Sequence, residues 1–205
     1  AGVENDHECS TAEEVLDKLR AGLHIYVREG SGAKNLETLI KTMLDAGVCL
    51  DRCAFCTDDK HVEEIRKEGH ISTCIRKAIA LGVPVAKAYK MGSYQAAEFY
   101  GLKNYGAIGA GYRADIVFLD DLEQVRPLDV MKDGRILTEE DYAKDYSVPV
   151  PDELLHTVHV GEVTKEKIRL SCDGKTDVIQ MNPHQIVTTH LVEEVPTENG
   201  YFKSD

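Results

Sequence analysis

Between Thr11 and Leu23 the apolar residues Val15, Leu16, Leu19 and Leu23 recur at helical spacing, and Ser10 ahead of Thr11-Ala12-Glu13-Glu14 supplies a helix-start signal. This predicts one amphipathic helix. His24-Ile25-Tyr26-Val27-Arg28 then reads as a short strand, and Asn35 to Ala46 places Leu36, Leu39, Ile40, Met43 and Leu44 on one helical face before Gly47. Arg52-Cys53-Ala54-Phe55-Cys56-Thr57 is a compact strand-like run that stops at Asp58-Asp59. After it, Val62, Ile65, Ile71, Ile75, Ile79 and Leu81 mark helical material interrupted by Gly69. Strand and helix alternate at separations of about 20 to 30 residues, the size of a βα unit, so the first half is expected to be α/β with a parallel sheet.

From roughly Tyr105 the pattern changes. Ala114–Asp120, Val130–Leu137, His156–Val160, Ile168–Leu170 and Val187–Leu191 read as short strands divided by turn residues. Asp133-Gly134 between apolar flanks is a tight-turn signal, and Val148-Pro149-Val150-Pro151-Asp152 reads as a linker. The division falls at 104/105.

Charge narrows the functions available. Lys plus Arg number 24 against 36 Asp plus Glu, a formal charge of −12 over 205 residues, which disfavours a nucleic-acid partner. No apolar run reaches the ~18 residues of a spanning helix, so no membrane partner is expected. The six cysteines show no framework spacing, and reduced thiols in a cytoplasmic protein are expected. Cys53 and Cys56 have the gap of a zinc knuckle without a second pair, which favours buried thiols inside a strand over a metal clip.

In parallel α/β folds reactive groups gather where strands end and helices begin. Three segments end that way: Val3–Glu8, Tyr26–Ser31 and Phe55–Asp59. They bring His7 with Asp6 and Glu8, Arg28 with Glu29, and Asp58 with Asp59 to such rims, a loading that suggests a shared site. Each has a plainer alternative, a surface histidine for His7 and a helix cap for Thr57-Asp58-Asp59. The other histidines read as ordinary, although His61 and His70 lie just past Asp58.

Ala1–Glu8, Val27–Leu36, Cys56–His61, Glu68–Ile71, Gly106–Val117 and Ile179–His190 together resemble the bacterial adenine deaminases of the amidohydrolase superfamily. The Gly106–Val117 motif points only to the superfamily, whereas Arg28-Glu29-Gly30-Ser31 and Cys56-Thr57-Asp58-Asp59 are more specific. The resemblance implies that residues 1–104 are the last three βα units of a TIM barrel and 105–205 a β-rich appended region. It implies that His7, at the sixth strand's end, and Asp58, at the eighth, hold a divalent metal, manganese or iron. Asp58 would also shuttle protons as the catalytic acid/base, while Arg28, Glu29 and Ser31 on the seventh rim would contact the substrate, adenine. The family's first-strand His-x-His pair, fourth-strand carboxylate and fifth-strand histidine are not among the 205 residues. The expectation is therefore an internal fragment, inactive alone, whose open sheet edge meets another chain such as a second copy, a companion piece of the same enzyme, or solvent. Tyr94–Ala97 departs from the family pattern in a helix-packing region. The alternatives are another hydrolase of the superfamily, deacetylase or dihydroorotase-like, or a non-catalytic interaction module.

Overall fold

The structure, a computed structural model, describes residues 2–145 and 147–204. They form two compact units, the first running to Thr138 and including Asn182–Ile186, the second comprising Glu139–Met181 and the residues from Val187 on.

The first unit opens with β1 (Asn5–Asp6), α1 (Ala12–Arg20), β2 (His24–Arg28), α2 (Leu36–Asp45), a 3₁₀ turn at Leu50–Arg52 and β3 (Cys53–Cys56). The predicted helix thus starts one residue later than Ser10 suggested. Thr11 is the N-cap and accepts the Glu14 N–H, while the Glu14 carboxylate accepts the N–H groups of Thr11 and Ser10, at 3.1 and 2.8 Å. Such a reciprocal cap is worth about 1 kcal/mol. The strands are parallel in the order β1-β2-β3, with Asp6 opposite Ile25 and Arg28 opposite Cys56. Each strand lies beside its sequence neighbour after a helical crossover, and strand order never reverses as it does in a doubly wound sheet.

Alternation along the strands divides their side chains. Ile25, Val27, Cys53 and Phe55 join the core with α1 and α2 and with α4 (Ile71–Ala80) and α5 (Val85–Gly92). His24, Tyr26 and Arg28 take the other face. His24 stacks on Phe99 with ring centroids 3.8 Å apart, and Tyr26 meets the same ring edge-on at 5.8 Å. Phe99 ends α6 (Tyr94–Phe99), where buried Gln95 donates to the carbonyls of Leu50 and Cys53, at 2.7 and 2.8 Å. The helical stretch after Asp59 breaks at Gly69 into α3 (Val62–Glu68) and α4, as its glycine predicts.

Three antiparallel strands complete the unit, β4 (Ile116–Leu119), β5 (Pro127–Lys132) and β6 (Arg135–Ile136), with β5 and β6 joined at Asp133-Gly134. Both turn residues have positive φ, +51° and +79°, as a two-residue hairpin turn of this kind requires. The first unit therefore runs past 104/105, where the periodicity changes, and takes in this sheet.

Among its described residues the second unit carries three short helices, α7 (Glu139–Ala143), α8 (Asp152–Leu155) and α9 (Lys165–Ile168). Its strands are two antiparallel pairs, β7 (Lys175–Met181) with β8 (Thr188–Glu194) and β9 (Thr197–Glu198) with β10 (Tyr201–Phe202). Two expected strands are not formed: 156–160 has no ladder, and Ile168 closes α9. Val158 and Val160 remain 79% and 69% exposed, so alternation alone gave these residues neither a neighbouring strand nor a face to bury. Among the described residues of this unit only Cys172 is buried.

No described helix is long and apolar enough to cross a membrane. All six cysteines are free. Cys53 lies against Met43 Sδ at 3.6 Å and Cys56 faces the Tyr26 carbonyl at 3.9 Å, so the two thiols have separate surroundings. Burial pushes the thiols of Cys9, Cys53, Cys56 and Cys74 up to about 12, whereas Cys49 is exposed. A disulfide reagent at pH 8 is therefore expected to modify Cys49 rapidly and these four only after denaturant is added. Reaction of any of the four at the Cys49 rate, located by peptide mapping, would contradict the burial of that thiol.

Candidate active site

The carboxyl ends of β1, β2 and β3 come together around Arg28. After β1, the Asp6 carboxylate accepts the Glu8 N–H and the Cys9 thiol, each at 3.1 Å, and pairs with Lys18 at the same distance. This is an Asx-type turn, and it throws His7 and Glu8 outward at the rim. Burial works against the Asp6 charge, but the bonds from Cys9 and Lys18 outweigh it and its pKa lies below the usual carboxylate value. After β3, Asp58 adopts a left-handed backbone, φ +46°, which Asp tolerates better than most residues.

The result is a convergent donor set. One ligand atom from each of His7, Glu8 and Asp58 lies within 4.8 Å of the other two, and all three residues are exposed. His7 Nε2 is 3.2 Å from Glu8 Oε1. Beneath them Arg28 is 1% exposed. Its Nη1 donates to Glu8 Oε2 at 2.6 Å and to Asp58 Oδ2 at 3.1 Å, and its Nη2 to Asn35 Oδ1 at 3.1 Å. Burial opposes the guanidinium charge, but the bonds to Glu8 and Asp58 prevail and raise its pKa. Its buried Nε has no hydrogen-bond partner among the described residues.

One imidazole and two carboxylates suit a divalent first-row cation, since nitrogen and oxygen donors of this kind serve manganese, iron and zinc alike. Arg28 holds one oxygen of each carboxylate and leaves the other as a donor. The residues present therefore fit such an ion.

Of the five residues singled out in the sequence, the structure unites His7, Asp58 and Arg28 and gives the other two separate partners. Glu29, one residue beyond Arg28, takes the opposite side, where Lys77 Nζ reaches its carboxylate at 2.6 Å. Ser31 Oγ accepts the His61 N–H at 2.9 Å and donates to Glu64. Glu8 and Asp59 are rim residues in the sequence without an assigned role, and Asn35 stands only at the head of a helical stretch. Glu8 stands beside His7 and was visible as a rim carboxylate. Asn35, read as a helix start, is buried on Arg28. Asp59 accepts the N–H groups of Ser31 and Gly32, so it does not cap the following helix, whose N-cap is His61. His70 bonds through Nε2 to the Thr57 hydroxyl at 2.6 Å, directly before Asp58.

The histidine and carboxylates thus gather at the carboxyl ends of a singly wound parallel sheet, the position where α/β barrels carry their sites. The amidohydrolase family model matches residues 2–137, more than half of the chain, and the chain belongs to that family. Among curated relatives it is similar to the adenine deaminase of Desulfitobacterium hafniense strain Y51, 38% identical over 98% of this chain and 35% of the relative. It is also similar to the adenine deaminases of Clostridium acetobutylicum, 39% identical over 100% of the chain and 36% of the relative, and of Methylobacterium nodulans, 40% identical over 98% and 35%. The chain thus spans about a third of these relatives' length. A solved structure, the β-aspartyl dipeptidase of Fervidobacterium islandicum AW-1 with a β-Asp-Leu dipeptide, matches with a TM-score of 0.52. That match, 18% identical and covering 71% of this chain and 41% of the dipeptidase, concerns the fold alone.

Proposed function

We propose that this chain supplies the His7 and Asp58 side of an active site that hydrolyses adenine to hypoxanthine and ammonia. The observation that carries the reading is the meeting of His7, Glu8 and Asp58 at the ends of β1 and β3, in a chain similar to adenine deaminases along nearly its whole length. In this reading residues 1–104 are the last three βα units of a barrel, and 105–205 form the β-rich region appended to it. The edges of β1 and β3 then meet polypeptide corresponding to the rest of the relatives' length, which brings the remaining donors. The free cysteines accord with a reducing, cytoplasmic setting.

A divalent ion, manganese or iron, would be held by His7 and Asp58 with Glu8 within reach. When bound, it would supply Lewis acidity and a water acidic enough to lose a proton near neutral pH. The Asp58 carboxylate takes a proton from the attacking water as its oxygen adds to C6, and returns that proton to the C6 amino group, so that a C–O bond replaces the C–N bond, ammonia departs and the 6-hydroxy tautomer of hypoxanthine remains. His7 would offer such an ion a ring-nitrogen lone pair. Arg28 fixes the directions of Asp58 and Glu8 from below, and Glu29 and Ser31, held by Lys77 and by His61 and Glu64, would line the β2 rim toward the substrate.

The test is a chimera in which these 205 residues replace the matching segment of the Desulfitobacterium hafniense enzyme. It is expected to release ammonia from adenine when loaded with manganese or iron. The chain alone is expected to release none, because the polypeptide that would bring the remaining donors and the rest of the substrate pocket is then missing, and substrate is not held where water reaches C6. A folded, metal-loaded chimera that is inert toward adenine would overturn the assignment, as would turnover near ~1 s⁻¹ by the chain alone.

A further inference from the structure

Asp59 has a place in the fold that the proposed chemistry does not use. Its carboxylate spans from the turn after β3 to the loop between β2 and α2, where Oδ1 accepts the Ser31 N–H at 3.1 Å and Oδ2 the Gly32 N–H at 2.7 Å. Successive backbone N–H groups of this kind form an anion nest, here filled by the chain's own carboxylate. The fit depends on glycine, since a Cβ on Gly30 would lie 1.8 Å from Asp59 Oδ1 and one on Gly32 would lie 2.7 Å from Oδ2. A second fastening runs the other way, from the His61 N–H to Ser31 Oγ and from Ser31 Oγ to Glu64.

The braced loop is the one that carries the Arg28 clamp. Arg28 and Asn35 stand at its two ends and are bonded to each other, and Arg28 reaches back to Asp58. A closed circuit results: Asp58 to Arg28, Arg28 to Asn35, the loop to Asp59, and Asp59 by one peptide bond to Asp58. Asp58 itself sits in the left-handed region, a conformation that surrounding contacts must hold in place.

We propose that Asp59 is a positioning residue: by filling the Ser31–Gly32 nest it holds the turn that aims the Asp58 carboxylate beside Glu8 and His7. The proposal rests on the reading of Asp58 as a metal-holding residue. Loss of the nest would leave the Asp58 carboxylate chemically intact and misdirected.

The experiment uses the 205-residue chain, with Mn²⁺ as probe, titrated and followed by the electron paramagnetic resonance of free and bound ion. Amide hydrogen exchange at Ser31 and Gly32 is measured in parallel by NMR. Asp59→Ala is expected to speed exchange at both amides, to weaken Mn²⁺ binding at least about tenfold and to change the bound-ion spectrum. Asp59→Asn keeps one acceptor oxygen and is expected to restore most of the affinity. Gly30→Ala, which drives the carboxylate out of the nest without touching its charge, should reproduce Asp59→Ala. Asp58→Asn should weaken Mn²⁺ binding while leaving the Ser31 and Gly32 amides protected. Circular dichroism is recorded for each variant, and if Asp59→Ala loses helicity, Gly30→Ala against Asp59→Asn decides. Folded Asp59→Ala and Gly30→Ala proteins that bind Mn²⁺ like the wild type, beside an impaired Asp58→Asn, would overturn the positioning role and leave the metal reading standing. Unchanged binding by Asp58→Asn would overturn the metal reading, and the positioning role with it.

Discussion

Replacing Asp58 by Asn in the chimera is expected to lower kcat/KM for adenine by about 10²–10⁴-fold, the usual consequence of removing a general acid/base. The two side chains have the same shape, and the Asn carbonyl oxygen can still accept from Arg28 Nη1, the contact seen at 3.1 Å to Asp58 Oδ2. What Asn lacks is a group able to take a proton from water and hand it to the departing amine. The position also holds the left-handed backbone of Asp58, φ +46°, which Asn adopts as readily as Asp, so the substitution is not expected to distort the turn. Rates must be compared at matched metal content, because a carboxylate that also serves as a ligand would otherwise lose activity through the empty site. At equal loading, a loss smaller than about tenfold would remove Asp58 from proton transfer and leave it as a ligand only.

How far such a site can be read from a sequence depends on which contacts make it. The strands β2 and β3 and the helix α2 were legible because their apolar residues are numerous and periodic, and those same residues, Ile25, Val27, Leu39, Ile40 and Phe55 among them, are buried. Helix α5 was not, because its buried residues are Ala88 and Met91, a stripe too slight to stand out among lysines and a tyrosine. In 156–160 the opposite happened: the alternation is clear, but a strand is completed by a partner, and among the described residues none pairs with that run. The site divides in the same manner. His7 and Asp58 were legible as chemistry-bearing residues at strand ends. Arg28 was placed on the same rim, and its burial could not be anticipated, since it follows from carboxylates that lie 20 residues before it and 30 after. The resemblance expects Glu29 and Ser31 at the substrate, and what the structure adds is their partners within this chain, Lys77 for Glu29 and His61 and Glu64 for Ser31, none of which the local sequence announces. Asp59 looked like a helix cap because acids before helices usually are, and only the nest on the neighbouring loop shows what it binds.

The clamp at Arg28 gives the largest expected effect on stability. Arg28→Met keeps most of the side-chain length and packing but removes the bonds to Glu8, Asp58 and Asn35 together. The three partners do not suffer equally. The side chains of Glu8 and Asp58 are 46% and 40% exposed, so water can replace much of what they lose. Asn35 is 1% exposed, and its Oδ1 would be left buried without that donor, a loss of about 1–3 kcal/mol. The two carboxylates would in addition face each other with no cation between them, a repulsion that their exposure and salt keep modest. Together these terms predict that Arg28→Met destabilises the folded chain by about 2–4 kcal/mol, read as a lower urea midpoint by circular dichroism. Arg28→Lys should recover only part of the loss, because one ammonium retains the charge but cannot span two carboxylates and an amide at once. A deficit under about 1 kcal/mol for Arg28→Met would show that the guanidinium is not what fastens Glu8 and Asp58 to the sheet, and the ordering of His7, Glu8 and Asp58 would then have to come from the Asp6 and Asp59 turns alone.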